Sequence, residues 1–200
     1  MRLFLRSRAL LACVLFATAL EASLPLWGAR AFKITYPGFF EAVPLGVPAQ
    51  FAAVAAILYS TDSAFHPLER MAARPLFPMR LLSLLIVTTP PLGVLVLACA
   101  VMGDSGTIGW AAPVRAFLGM LGLGLVAAQF IDRRLAGLSA VLAIAAPMTL
   151  NPIQVTGFEV WGFAYSGSPE PTSWLVATAF FVLGSILHVT FLPRGPQLAS

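Results

Sequence analysis

The chain has 200 residues, of which 59% are hydrophobic and only 10% charged, and its formal net charge is +4. Its mean hydropathy is +0.89. Soluble domains carry roughly 25% charged residues, so this composition cannot cover a globular surface with polar groups, and lipid is the expected solvent. The basic residues sit at the ends of apolar segments, which argues against nucleic acid as a partner despite a pI near 9.7.

Apolar windows predict about six membrane-spanning helices. In chain order they cover about 9–27, 42–61, 81–102, 111–131, 135–150 and 173–192. The predicted fold class is therefore an all-α integral membrane protein forming a single transmembrane domain over residues 1–200. The first span follows Arg2, Arg6 and Arg8, as a signal peptide would. Its apolar run continues through Leu24, Pro25, Leu26 and Trp27, which favours a retained span. The fourth and fifth spans are separated only by Asp132, Arg133 and Arg134, a tight helical hairpin.

Arginine placement sets the orientation. With the N-terminus inside, nine basic residues are cytoplasmic: Arg2, Arg6, Arg8, Arg70, Arg74, Arg80, Arg133, Arg134 and Arg194. Three are outside: Arg30, Lys33 and Arg115. The positive-inside rule favours this choice, and an even number of spans places both termini in the cytoplasm. The outer loop 151–172 has no Lys or Arg and carries Glu159 and Glu170, in keeping with that orientation.

Several kinds of chemistry are excluded. Lys33 is the only lysine and is followed by Ile34, so the chain has no P-loop, which needs Lys before Ser or Thr. Two histidines, His66 and His188, cannot form an HExxH zinc site, and Cys13 and Cys99 lie apart in apolar runs. No metal and no cofactor is expected. No close pair of His, Asp or Glu at helical spacing within a span marks a membrane-embedded enzyme.

The segment between spans two and three is the most informative. Pro67 is suited to the first position of a helix, and Pro75 ends it. Over about two turns Leu68, Met71 and Ala72 share one face, with Glu69, Arg70 and Arg74 off it. A short cytoplasmic amphipathic helix can rest on the membrane or dock into a partner's groove. A loop that snorkels its arginines to the headgroups gives the same pattern.

The run Leu68-Glu69-Arg70-Met71-Ala72-Ala73-Arg74-Pro75, continuing to Arg80-Leu81-Leu82, resembles the loop between spans two and three of ABC-2 type transporter permeases. Glu69, Pro75 and Arg80 follow that family's order. Leu3-Phe4-Leu5-Arg6-Ser7-Arg8 resembles its approach to span one. The six-span layout agrees along the whole chain, the motifs over about 30 residues. The chain departs from the pattern in having only eight residues before span one, and Leu76, Phe77, Pro78 and Met79 where a Ser-Arg pair is usual.

The resemblance implies a non-catalytic permease of the bacterial inner (cytoplasmic) membrane, half of an ATP-driven exporter. Leu68, Glu69, Arg70, Met71, Arg74 and Pro75 would couple it to a separate ATP-binding cassette subunit. A second permease, in a homodimer or heterodimer, would complete the pathway. Two other readings fit the layout: the substrate-binding membrane subunit of an energy-coupling-factor importer, for which the small-residue stripe Ala9, Cys13 and Ala17 suits docking, and a membrane accessory or immunity protein.

Within the spans, Glu21 stands out. It lies 13 residues beyond Arg8, about 20 Å along a helix, where an ionised carboxylate costs on the order of 2.5–3.5 kcal/mol on the insertion scale. It is a candidate for the translocation pathway, with Arg115 as its possible partner, or else a paired structural residue. Gly119, Gly122, Gly124 and Ala128 form a small-residue face for helix packing. Pro147 is expected to kink or end span five, and His188 reads as structural. Phe158, Trp161, Phe163 and Tyr165 suit interfacial anchoring.

The orientation yields a direct prediction. A cysteine introduced at Ser200 should resist a membrane-impermeant thiol reagent in intact cells and react after permeabilisation. Reaction in intact cells would overturn the cytoplasmic C-terminus.

Overall fold

A computed structural model describes residues 10–27, 31–36, 39–44, 46–61, 76–102, 111–131 and 171–190. They form five helices and one hairpin: α1 (Leu10–Trp27), β1 (Ala31–Tyr36), β2 (Phe39–Pro44), α2 (Gly46–Thr61), α3 (Leu76–Met102), α4 (Ala111–Ala127) and α5 (Pro171–Thr190). The expected fifth span, the segment 62–75 and the aromatic loop 158–165 lie outside the described residues, as do Ala9 and Pro147.

Two of the helices contain stretches long and apolar enough to cross a membrane, Phe77–Ala98 in α3 and Pro171–Thr190 in α5. Leu10–Leu24 and Ala112–Ala127 are apolar but shorter. At 1.5 Å per residue, the 16 residues of α2 reach about 24 Å, less than a hydrocarbon core of about 30 Å.

The prolines explain where the helices begin. Pro171 opens α5, a position where its missing N–H costs nothing. Pro48 and Pro78 fall in the first turns of α2 and α3, where no intrahelical donor is required. Helix α3 therefore starts at Leu76, five residues earlier than the apolar window. Pro90 and Pro91 lie inside α3. They withdraw the N–H groups that would bond the carbonyls of Ile86 and Val87, and mark the place where α3 can bend.

Span two, expected from residue 42, begins instead at Gly46. Residues 39–44 pair antiparallel with 31–36, from Ala31 opposite Pro44 to Tyr36 opposite Phe39. Pro37-Gly38 joins the strands, a dipeptide suited to a tight turn. Because Ala31 faces Pro44, the hairpin returns the chain to its starting point. The end of α1 and the start of α2 therefore share one end of the bundle, hereafter the hairpin end.

Helix α1 packs on α2 and α3, and α4 packs on α2, α3 and α5. Helix α3 buries one stripe, Arg80, Ser83, Leu84, Val87, Thr88, Pro91 and Leu95, at the spacing of a single helical face. Helix α4 is buried on nearly every side, through Val114, Arg115, Phe117, Met120, Leu121 and Leu125. It is the central helix.

Glycine fixes the closest approach. A Cβ on Gly122 would overlap the backbone of Phe180 and Phe181 in α5, and one on Gly184 would meet the Gly122 carbonyl and lie 2.9 Å from Leu125 Cβ. Gly124 faces Leu58 of α2 instead. The expected small-residue face is thus divided, Gly122 serving one neighbour and Gly124 another. Close backbone approach through small residues is how helices pack where lipid removes the hydrophobic drive for association.

The α4–α5 contact supplies a prediction. Gly122→Leu should destabilise the fold by about 1–3 kcal/mol, the usual cost of overpacking. Gly93→Ala should be neutral or gain up to about 1 kcal/mol, because a Cβ there meets nothing within 4 Å. Thermal unfolding in detergent checks both, and equal effects would contradict the packing.

Candidate functional site

Polar side chains occupy the interior. Glu21, Gln50, Ser60, Thr61, Arg80, Ser83, Thr88, Arg115, Ser173 and His188 are all buried. The exterior is apolar: Leu11 is 74% exposed, Val101 78%, Leu175 70% and Phe130 83%. These polar groups sit among an apolar core, and the apolar exterior is tolerated by lipid better than by water.

Most hydroxyls are satisfied by their own helix. Ser60 Oγ donates to Ile57 O at 2.6 Å, Thr61 Oγ1 to Leu58 O at 2.7 Å, Ser83 Oγ to Arg80 O at 2.9 Å and Thr88 Oγ1 to Leu84 O at 2.8 Å. Such back-bonds let a hydroxyl enter an apolar span without a second helix to receive it.

Hydrogen bonds between helices, among the described residues, set the geometry. Gln50 Nε2 donates to the Pro113 carbonyl at 2.8 Å, joining the first turns of α2 and α4. Arg115 Nη1 donates to Ser173 Oγ at 2.7 Å, joining the first turns of α4 and α5. All three helices therefore begin at the hairpin end. Contacts farther along, from Gly122 to Phe180 and Phe181 and from Leu125 to Gly184, keep the same offset. Helices α4 and α5 run parallel.

Glu21 lies six residues before Trp27, about 9 Å from the end of α1. With Gln50, Arg115 and Ser173 it belongs to the polar hairpin end of the bundle. Ser60 and Thr61 lie at the far end of α2, and His188 near the far end of α5. Between these zones Ala53, Val54, Ile57, Leu58, Phe117, Met120 and Leu121 form an apolar belt. Among the described residues, α2 and α4 are thus polar near an end and apolar in their middles, while α3 keeps Thr88 buried at its centre.

The candidate pathway residues Glu21 and Arg115 are both buried, at 0% and 1% exposure. They do not pair. Arg115 is turned to Ser173, while neither Glu21 oxygen has a hydrogen-bond partner. Helix α1 packs on α2 and α3, and Ser173 of α5 receives the guanidinium. Of the small-residue stripe on α1, Ala17 is buried and Cys13 half-buried. The residues expected to couple to a partner, Leu68, Glu69, Arg70, Met71, Arg74 and Pro75, lie outside the described residues. Among the described residues no group of three His, Cys, Asp or Glu is placed to hold a metal ion.

Gln50 and Ser173 are the site residues that sequence reasoning missed. Gln50 carried a signal: an amide inside an apolar helix must find a partner or leave the lipid. Ser173 carried none, since a serine can bond its own helix.

Comparison with protein-family models, with curated proteins and with solved structures finds no match.

The Arg115–Ser173 bond can be tested by substitution. Ser173→Ala should cost about 1.5–3 kcal/mol, the range for a hydrogen bond to a charged group. Ser23→Ala should cost less, because Ser23 Oγ only returns to Leu20 O. Thermal denaturation of the two variants in detergent ranks them, and the reverse order would remove Arg115–Ser173 as a clamp.

Proposed function

We propose that the chain is a six-span permease subunit of an ATP-driven exporter in the cytoplasmic membrane, with both termini in the cytoplasm. It supplies half of a translocation pathway, and a separate ATP-binding cassette subunit hydrolyses ATP. A second permease, identical or related, supplies the other half.

The observation that carries the membrane part is the shared starting end of α2, α4 and α5. Under the alternating topology, spans two, four and six all begin outside. The fifth crossing of this reading lies in sequence between the parallel helices α4 and α5. The buried polar interior supports a protein-lined path in lipid. The apolar middles of α2 and α4 narrow that path, and opening it calls for movement of the surrounding helices. Pro90 and Pro91 place a bend within α3 that can serve such a movement.

The transport part rests on sequence. The chain has no P-loop, so ATP hydrolysis belongs to a partner. The proline-bounded segment from Pro67 to Pro75 has the pattern of a coupling helix. Leu68 and Met71 would make the buried contact, and Glu69, Arg70 and Arg74 the polar rim. Glu21 and Arg115 are the buried charged groups assigned to the path.

Truncating a buried anchor costs more than removing a rim charge. Met71→Asp should release the ATPase subunit and abolish transport without preventing membrane insertion, and Arg70→Ala should do less. Purification from the native membrane, followed by identification of copurifying proteins, checks this. Absence of an ATPase with the unmodified chain, together with full activity of the Met71 variant, would refute the exporter reading.

A further inference from the structure

Glu21 has no exposed surface, and both its carboxylate oxygens lack a hydrogen-bond partner. Thr18 Oγ1, three residues earlier on the same helix, is also buried without a partner. Residues at this spacing stand side by side, about 5–6 Å apart between Cβ atoms. Two carboxylate oxygens and one hydroxyl oxygen thus sit at neighbouring positions of α1, none of them with a hydrogen-bond partner.

Among the described residues, the helices packed on α1 give Glu21 no hydrogen bond. Helix α2 carries Tyr59, which is exposed, and no charged residue. Helix α3 carries Arg80, which makes no hydrogen bond to Glu21. On α1 itself, Cys13 lies eight residues away and half-buried. Arg115, on α4, donates to Ser173. A bare carboxylate in such a place carries a heavy desolvation penalty. One positive charge on the carboxylate itself removes it.

We propose that Glu21, assisted by Thr18, binds one monovalent cation inside the bundle: a proton, or an alkali ion stripped of its water. In the proton form one carboxyl oxygen is bonded to hydrogen and the Thr18 hydroxyl is the nearby polar group. In the alkali form the two carboxylate oxygens and Thr18 Oγ1 are the side-chain ligands, a donor set suited to a hard cation. The site follows from the burial geometry alone and stands whether or not the chain is an exporter.

A hydrophobic carbodiimide, N,N′-dicyclohexylcarbodiimide, adds to protonated carboxyl groups in apolar surroundings and reports the site without any transport assay. The full chain in detergent is treated in choline chloride over a pH series, then with added sodium or potassium chloride, and adducts are mapped by mass spectrometry. The expected result is an adduct on Glu21 that Glu21→Gln lacks. For a proton site, labelling falls about tenfold per pH unit on the alkaline side and ignores the alkali ions. For an alkali site, sodium or potassium suppresses labelling at fixed pH, and Thr18→Val weakens that protection. Absence of an adduct on Glu21 in choline chloride, or a yield indifferent to both pH and alkali ions, overturns the proposal. Loss of the ATPase partner leaves every one of these outcomes unchanged, so this test and that of the exporter reading fail separately.

Discussion

Two of the described helices are long and apolar enough to cross a membrane, and that sets the constraint to which the rest of the structure answers. In a bilayer core an unpaired backbone or side-chain polar group has no solvent to turn to. The helices answer by keeping their hydrogen bonds internal and turning polar side chains inward. Arg115, His188 and Glu21 are among the most fully buried side chains, while leucine, valine and phenylalanine occupy the surface. Ser60, Thr61, Ser83 and Thr88 bond to their own helices, so they add polarity to the interior without requiring a matched partner.

The same constraint shapes packing. Apolar side chains gain little from leaving lipid for another apolar surface, so helices associate through close van der Waals contact. Gly122 and Gly184 bring α4 and α5 to backbone contact, and Arg115–Ser173 holds their first turns together. Gln50 ties α2 into the same end. The central helix therefore has two polar anchors at one end and an apolar mid-section against its neighbours. Glu21 lies outside this network, on a helix that packs against α2 and α3.

Much of the helical framework was legible. The apolar windows located α1 and α5 to within two residues at each end, because Trp27, Pro171 and the arginine flanks bound them. Helix α3 was placed with a late start, since Arg80 looked like a boundary although it is buried within the helix. The hairpin was missed because residues 42–44 are apolar and continue smoothly into α2. Its signals were the Pro37-Gly38 turn and the alternation in Phe32-Lys33-Ile34-Thr35. The burial of Glu21 followed from its depth in an apolar run. Its separation from Arg115 did not, because hydropathy does not say which helices become neighbours. The division of Gly122 and Gly124 between two partners is equally a matter of packing, although two residues on a helix do point about 200° apart.

The account stands or falls on the apolar exterior facing lipid. Leu183 tests this most directly, being 48% exposed and well inside α5. A spin label on Leu183→Cys in reconstituted bilayers reports its collisions with dissolved oxygen, which concentrates in lipid, and with a water-soluble nickel chelate. The account predicts frequent collisions with oxygen and few with the chelate; the opposite ratio would contradict it.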